Sequence, residues 1–256
     1  MAKGTRLDQR LVELGLAPSK SRAQGLILAG LVKVDGQPVK KAGQNVSALN
    51  EISVQGPEHP YVSRGGVKLA GALDHFGLQV ASLTCLDVGA STGGFSDCLL
   101  QRGATAITAV DVGYGQMAWK LRTDPRVTLH ERVNARDLPP GMAPGPYDLI
   151  VADVSFISLT LVLPGLVGRL APGGRVLCLV KPQFEAGRQQ VGSGGVVRDE
   201  AVRQEAVDKV AACLAGLGLR VRGQCVSPIQ GPAGNVEFFL LADKPSAGAT
   251  GEKQDP

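Results

Sequence analysis

The chain has 256 residues, of which 44% are hydrophobic and 20% are charged, a composition typical of a folded globular protein. No run approaches the roughly 18 apolar residues of a membrane helix, and the start, MAKGTRLDQR, lacks the apolar core of a signal peptide. The five cysteines form no Cys-x-x-Cys pair and the three histidines are scattered, which argues against a metal site. We therefore expect a cytoplasmic protein with reduced thiols, no metal and no membrane partner.

The charge is unevenly distributed along the chain. Residues 1 to 64 contain nine lysines and arginines against five acids, whereas residues 65 to 256 contain eighteen of each kind. A basic front end on a neutral body predicts contact with a polyanion. A solvated basic surface is the alternative that charge alone leaves open.

The first 56 residues predict a small α+β domain. Leucines recur at helical spacing from Leu7 to Leu14, and Ser19 is placed to cap a second helix. Asp35-Gly36 predicts the turn of a β-hairpin. Residues 51 to 54 supply a last short strand.

Beyond a predicted linker at residues 57 to 64, apolar strand-like runs alternate with helical stretches over residues 65 to 243. The predicted strands are SLTCLDVG, TAITAVDVG, RVTLHE, YDLIVADV, GRVLCLVKP, a short one near residues 220 to 225, and VEFFLLA, which ends the sheet. This alternation predicts an α/β fold with parallel βαβ units and a doubly wound open sheet. The tail at residues 244 to 256, rich in Lys, Gly, Ser and Pro, is predicted to be disordered.

The segment LDVGASTGGFSD follows the first strand of this sheet and leads into a helix. Its glycines allow the backbone to pass close to a ligand where a Cβ would block it. The spacing is neither Gly-x-Gly-x-x-Gly nor that of a P-loop, which disfavours a nicotinamide dehydrogenase. The loop residues predicted to hold a nucleotide-type cofactor are Asp87, Gly89, Ala90, Ser91, Thr92, Gly93, Gly94 and Phe95.

Polar side chains at neighbouring strand ends extend this predicted cofactor site. Asp111 follows the second strand, where its carboxylate can accept hydrogen bonds from both ribose hydroxyls of an adenosine. Asn134 follows the third strand and can reach the adenine edge. Asp87 can face the cationic portion of a sulfonium cofactor. Together at one edge of the sheet, these residues predict a single ligand.

Four titratable residues are predicted to share the same edge: Lys68, Asp153, Lys181 and Glu237. Asp153 and Lys181 follow parallel strands, and Glu237 begins an antiparallel strand, so its side chain also lies at that edge. Surface ion pairs are the ordinary explanation for single acids and lysines. A convergent set in a cleft instead indicates a functional site.

The Lys-Asp-Lys-Glu order, the LDVGASTGGFSD loop and the segment SKSRAQGLILAGLVKVDG together resemble the TlyA family of ribosomal RNA 2′-O-methyltransferases, also called haemolysin-like, over about residues 5 to 242. The front part resembles the S4 RNA-binding domain, and the rest resembles the FtsJ/RrmJ type of methyltransferase. The expected fold is therefore a Rossmann-like methyltransferase sheet with a small N-terminal S4-type domain.

The resemblance also implies the chemistry of the site. Lys68, Asp153, Lys181 and Glu237 would be the family's catalytic tetrad, and the loop from Gly89 to Gly94 would hold S-adenosyl-L-methionine. The implied acceptors are cytidine 2′-hydroxyls in ribosomal RNA.

Methylation of a ribose hydroxyl requires residues of these types. A 2′-hydroxyl is a poor nucleophile at neutral pH, so a base must take its proton during attack. A lysine can do so only in its neutral form, which desolvation and a second cation favour. We therefore assign Lys181 as general base, Lys68 as the second cation, and Asp153 and Glu237 as positioning groups. The strand end DVSF is not the Asp-Pro-Pro-Tyr of amine methylation, and the sequence has no Pro-Cys nucleophile.

Basic residues of the front segment and linker are expected to contact RNA phosphates and to set register on a folded RNA. They are Arg6, Arg10, Lys20, Arg22, Lys40, Lys41 and Arg64. Aromatic residues make up only 4% of the chain, so a stacking platform for single strands is not expected. Phe156 and Phe184 either hold a flipped nucleotide or pack in the core.

Two other functions stay open from the sequence. The first is a non-catalytic RNA-binding or ribosome-assembly factor with a vestigial cofactor fold. The second is a membrane-active haemolysin, which would need an apolar or amphipathic insertion segment that we do not find. The sequence leaves the oligomeric state and the target ribosomal subunit open.

Overall fold

The computed structural model describes residues 4–28, 30–54, 59–231 and 233–246. Its contacts divide the chain into two compact units, Met1–Pro60 and Tyr61–Pro256. The predicted linker at residues 57–64 spans this division and lies partly outside the described residues, as does most of the predicted tail at residues 244–256. Both stay predictions.

The first unit has a small α+β fold. Its described elements are β1 (Thr5–Arg6), α1 (Leu7–Glu13), α2 (Lys20–Leu28), β2 (Val32–Val34), β3 (Gln37–Pro38), β4 (Asn45–Val46) and β5 (Ile52–Val54). Strand β2 pairs antiparallel with β3 and β5, and β1 pairs antiparallel with β4. The β1–β4 pair was not predicted, because strands of two residues carry no alternating pattern.

The local signals of the first unit are confirmed. Ser19 Oγ accepts a hydrogen bond from the Arg22 N–H at 3.2 Å at the start of α2. Asp35 and Gly36 have φ angles of 49° and 77° and form the predicted hairpin turn. Leu7 and Leu11 are fully buried and begin a core that also includes residues of α2 and β2. The leucine spacing therefore located the helix and two of its buried residues, whereas Leu14 follows the helix and is exposed.

The second unit alternates helices with strands. Its elements are α3 (Gly65–His75), β6 (Thr84–Val88), α4 (Gly94–Gln101), β7 (Ala106–Val110), α5 (Trp119–Arg122), β8 (Val127–His130), β9 (Tyr147–Ala152), α6 (Leu159–Val167), β10 (Leu170–Val180), α7 (Pro182–Glu185), α8 (Glu200–Gly216), β11 (Arg220–Val226) and β12 (Phe238–Asp243). Each predicted strand of this unit is present.

The strands form one sheet in the order β11-β12-β10-β9-β6-β7-β8. Strand β12 runs antiparallel to both of its neighbours, and the other pairings are parallel. One buried cluster contains residues of α6 and α8 and another contains residues of α3 and α4, as expected for a doubly wound sheet. The prediction that the last strand ends the sheet is wrong, because β12 inserts between β10 and β11.

The order in which the strands join the sheet along the chain determines where the site lies. From β6 the sheet grows through β7 to β8 on one side, and β9 then returns to the other side of β6. Such a reversal opens a crevice at the carboxyl ends of the two central strands. The loop after β6 and Asp153, which follows β9, meet there, and the Asp153 N–H donates to the Val88 carbonyl at 2.9 Å.

Membrane-spanning helices and clusters of metal-binding side chains are absent from the described part of the chain. None of its helices has the length and hydropathy to cross a bilayer, and none of its His, Cys, Asp and Glu side chains form a cluster able to hold a metal ion. The cysteines are unpaired, and burial raises the pKa of the Cys85 and Cys178 thiols to about 12. These two thiols therefore stay protonated and unreactive at neutral pH.

Candidate active site

A sharp backbone turn after β6 begins the site. Gly89 has a φ of 83°, and a Cβ there would collide with the Asp153 carbonyl oxygen. Gly93, with a φ of 93°, precedes α4, and a Cβ there would collide with the Leu121 side chain. Both positions therefore require glycine, which explains the spacing of the loop.

Two adjoining cavities lie against this loop. The larger cavity, of about 440 Å³, is lined by residues that include Asp111, Val112, Asn134 and Phe156. The smaller cavity, of about 350 Å³, has as its lining residues Ser63, Arg64, Gly65, Lys68, Gly89, Ala90, Ser91, Thr92, Gly94, Phe95, Asp153 and Gln230. Gly89, Ser91 and Asp153 line both, so a ligand in one cavity borders a ligand in the other.

Asp111 is fixed at the rim of the larger cavity. Its Oδ2 accepts the Ser91 N–H at 2.7 Å, and its Oδ1 accepts the Gly113 N–H at 2.6 Å. Each carboxylate oxygen retains acceptor capacity for a ribose hydroxyl. Asn134 also lines this cavity and caps a short turn through the Arg136 N–H at 3.0 Å. The arrangement fits the predicted binding of an adenosine.

Asp87 is fully buried at the end of β6. Its Oδ2 accepts the Ser96 hydroxyl at 2.6 Å, whereas its Oδ1 has no hydrogen-bond partner among the described residues. The pKa of Asp87 is raised to about 7, chiefly by burial and to a smaller extent by nearby Asp153, and the Ser96 hydrogen bond opposes this rise. A buried carboxylate with an unsatisfied oxygen fits a cationic ligand.

The four predicted catalytic residues form two ion pairs. Lys68 Nζ donates to Glu237 Oε2 at 2.5 Å, and both side chains are more than nine-tenths buried. Lys181 Nζ lies 2.5 Å from Asp153 Oδ1, although the contact lacks hydrogen-bond alignment. Lys68 and Asp153 line the cavities, whereas Lys181 and Glu237 are not among the lining residues and contact these two side chains.

Several polar residues of the site were not predicted from the sequence, among them Ser155 and Gln230. The Ser155 hydroxyl accepts a hydrogen bond from Lys181 Nζ at 2.8 Å and lines the larger cavity. Its position two residues after Asp153, at the same strand end, was an available signal. Gln230 lines the smaller cavity from the loop between β11 and β12, and no local pattern marks that loop.

The predicted RNA-contacting residues differ in their surroundings. Arg6 forms two hydrogen bonds with the buried Asp8, at 3.1 and 2.9 Å, and Arg10 pairs with Glu13 at 3.2 Å. Arg64 lines the smaller cavity and donates to the Gln230 carbonyl at 3.4 Å. The others, Lys20, Arg22, Lys40 and Lys41, are exposed.

Comparison with known proteins identifies the family. A model of the FtsJ-like methyltransferase matches residues 61–244, and a model of the S4 domain matches residues 5–52. The chain is 51% identical over 241 residues to the 16S/23S rRNA (cytidine-2′-O)-methyltransferase TlyA of Mycobacterium tuberculosis, covering 94% of this chain and 90% of that protein. The chain belongs to the TlyA family of FtsJ-like methyltransferases.

Other members of the TlyA family carry a different name. Hemolysin A of Brachyspira hyodysenteriae is 40% identical, over 91% of this chain and 98% of its own length. A solved structure described as "Putative hemolysin from Streptococcus thermophilus" superposes with a TM-score of 0.73 at 42% identity, covering 96% of this chain and 90% of that one. The family therefore extends over both units.

The cofactor of this methyltransferase family is S-adenosyl-L-methionine, which supplies an electrophilic methyl group when bound. The residues present fit it. Gly89 lines both cavities and Asp111 suits the ribose of the cofactor. Gly93 and Asp87 line neither cavity, but the unsatisfied Oδ1 of the buried Asp87 suits the ammonium group.

Cofactor binding is expected to release a proton at pH 6. Because the pKa of Asp87 is raised to about 7, its carboxyl is mostly protonated at pH 6, and a cationic ligand favours the charged form. Because of the same upward shift in pKa, Asp87 stabilises the unliganded protein most at acid pH. This stabilisation is lost as the pH rises through about 7. Calorimetric titration of S-adenosylmethionine in two buffers of different ionisation enthalpy measures the number of protons released on binding.

The matched variant is Asp87→Asn, which should bind the cofactor more weakly and without proton release. Equal binding enthalpies of the unmodified protein in both buffers at pH 6 would contradict the proposed contact.

Proposed function

We propose that this protein transfers a methyl group from S-adenosylmethionine to the ribose 2′-oxygen of a cytidine in ribosomal RNA. The observation that carries the proposal is the presence of two lysine–carboxylate contacts, one buried and one partly buried, at two adjoining cavities. One cavity suits an adenosine cofactor, and the other leaves space beside Lys68 and Asp153 for an acceptor nucleotide. Cytidine and ribosomal RNA come from the name of the Mycobacterium tuberculosis relative.

Lys181 acts as the general base in this proposal. A neutral amine has two N–H donors and one lone pair. Ser155 Oγ accepts one of these N–H groups at 2.8 Å, Asp153 Oδ1 lies 2.5 Å from Nζ without hydrogen-bond alignment, and the lone pair accepts the 2′-hydroxyl proton. The proton moves to Lys181 Nζ as the 2′-oxygen attacks.

Lys68 and Glu237 complete the site. Glu237 holds the Lys68 ammonium at 2.5 Å at the wall of the smaller cavity, and Lys68 is the second cation of the network. Its charge attracts the anionic RNA backbone. We assign Asp153 and Glu237 to positioning rather than proton transfer.

Aromatic side chains provide a place for the acceptor base. Phe156 is 91% exposed with a φ of 63°, and its ring centroid lies 5.1 Å from that of Phe184. This exposure supports base stacking over core packing for Phe156. The S4-type unit, with its exposed Lys20, Arg22, Lys40 and Lys41, would bind the surrounding phosphates.

The proposed location is the cytoplasm, where ribosomal RNA is modified.

To test the proposal, the protein is incubated with radiolabelled S-adenosylmethionine and one acceptor: naked ribosomal RNA, separate subunits or whole ribosomes. The transfer of label to the acceptor is then measured. Transfer to at least one of them supports the proposal and identifies the form of the substrate. Cofactor binding without transfer to any acceptor would favour the ribosome-assembly factor instead. Release of dye from liposomes by pure protein would favour the haemolysin.

A further inference from the structure

We propose that the edge of the sheet formed by β8 is a second RNA-binding surface, which holds unpaired nucleotides beside the cofactor cavity. The surface, here called the β8 edge, is formed by the segments that flank this strand in the sequence and comprises Tyr114, Trp119, Arg122, Arg132 and Arg136. The inference extends the proposed function, because it assumes an RNA substrate and locates part of its path.

Large aromatic side chains at the β8 edge face solvent. Trp119 is the only tryptophan of the chain and is 77% exposed, and Tyr114 is 66% exposed. The Arg132 guanidinium lies 4.2 Å from the centroid of the Tyr114 ring. An exposed ring with a stacked guanidinium is a surface on which nucleobases stack and phosphates bind.

Hydrogen bonds and an ion pair fix the backbone around Tyr114 and Arg132. Glu131 accepts the Gly115 N–H at 2.7 Å and pairs with Arg122 at 2.7 Å, which ties the Tyr114 loop to helix α5 and to the residue after β8. Arg132, in a left-handed conformation with a φ of 59°, donates its N–H to the Gly113 carbonyl at 3.0 Å. The segments that carry Tyr114, Arg122 and Arg132 are thus held in place before a partner binds.

Charge complementarity points to a nucleic acid. Residues 112–136 contain five lysines and arginines against two acids, although residues 65–256 as a whole are neutral. A second copy of the chain would place this positive surface against itself, which like-charge repulsion disfavours. An RNA strand supplies phosphates for the arginines and bases for the rings.

The position of the β8 edge relates it to the reaction. Val112 and Gln116, which flank Tyr114, line the larger cavity, as do Val133 and Asn134 after β8. RNA bound here therefore lies next to the cofactor. The proposal differs from the expectation that a chain with 4% aromatic residues has no stacking platform, because two exposed rings, Tyr114 and Trp119, belong to this surface.

Trp119 itself reports on the proposal. Because it is the only tryptophan, its fluorescence in the full chain measures whether RNA covers the β8 edge. We expect a short single-stranded RNA of mixed sequence to quench the emission in the same concentration range in which a filter assay detects binding. A blunt duplex of equal length should quench less.

Trp119→Ala should weaken binding of the single strand by about 5- to 150-fold, the range for loss of one stacked base, and Trp119→Phe should restore most of it. Arg132→Gln should also weaken binding, whereas Arg220→Gln, which removes an exposed charge from the opposite edge strand β11, should not. The affinity for S-adenosylmethionine should stay unchanged in all four variants.

RNA binding without quenching would overturn the proposal, as would quenching by ribosomal protein alone or by raised protein concentration alone. The failure is distinct from failure of the proposed function. Quenching by RNA without methyl transfer would support the proposed RNA-binding surface and contradict the proposed enzymatic function. Methyl transfer without quenching would support the enzymatic function and contradict the proposed surface.

Discussion

Replacing Lys181 with alanine is expected to lower the rate of methyl transfer by about 10²- to 10⁴-fold, the usual contribution of a general base. The side chain is about nine-tenths buried, and Asp153 and Ser155 contact its Nζ. Because Lys181 does not line either cavity directly, the affinity for S-adenosylmethionine should be retained. Single-turnover transfer and calorimetric cofactor titration separate the two quantities.

Lys209→Ala is the matched control for this variant. Lys209 also contacts a buried carboxylate, since its Nζ lies 3.4 Å from Glu185 Oε2, but it lies outside both cavities. Its loss should leave turnover unchanged. Wild-type turnover by Lys181→Ala with the cofactor still bound would refute the assignment of the base.

Removal of residues 1–60 is expected to abolish methylation of ribosomal RNA and to spare cofactor affinity. The buried clusters of the second unit contain none of these residues, so this unit has its own core. The deleted segment carries six of the seven predicted phosphate contacts, and loss of several such contacts weakens RNA binding by orders of magnitude at physiological salt.

A graded control tests the cause of that loss in the full-length protein. Lys40 and Lys41 are both exposed, and replacing both with alanine should reduce the salt dependence of RNA binding by about two phosphate contacts. Full activity of the truncated protein on ribosomal RNA would refute the role of the first unit in delivering the substrate.

Much of the second unit follows from local sequence. Its strands are apolar runs between glycines and polar turns, and the parallel order brings Asp87, Asp111 and Asp153 to one edge without further information. The positive φ angles of Gly89 and Gly93 explain why the loop pattern was informative, because no other residue type fits there without strain.

Other features depend on contacts between distant segments and lack a local pattern. Strand β12 reads as a final strand but inserts between β10 and β11, because its apolar side chains are buried there. The pairing of Lys68 with Glu237 joins residues that are 169 positions apart. The exposure of Trp119 was not predictable either, since apolar residues in an amphipathic segment are usually buried.

The position of the transferred methyl group tests the account most directly. Ribosomal RNA labelled from S-adenosylmethionine would be digested to nucleosides and analysed by mass spectrometry, with alkaline hydrolysis as a second reading. We predict label on the ribose of cytidine, in dinucleotides that resist alkali because the 2′-oxygen is blocked. Label on a base, with alkali-sensitive products, would contradict the assignment of Lys181 as the base for a ribose hydroxyl.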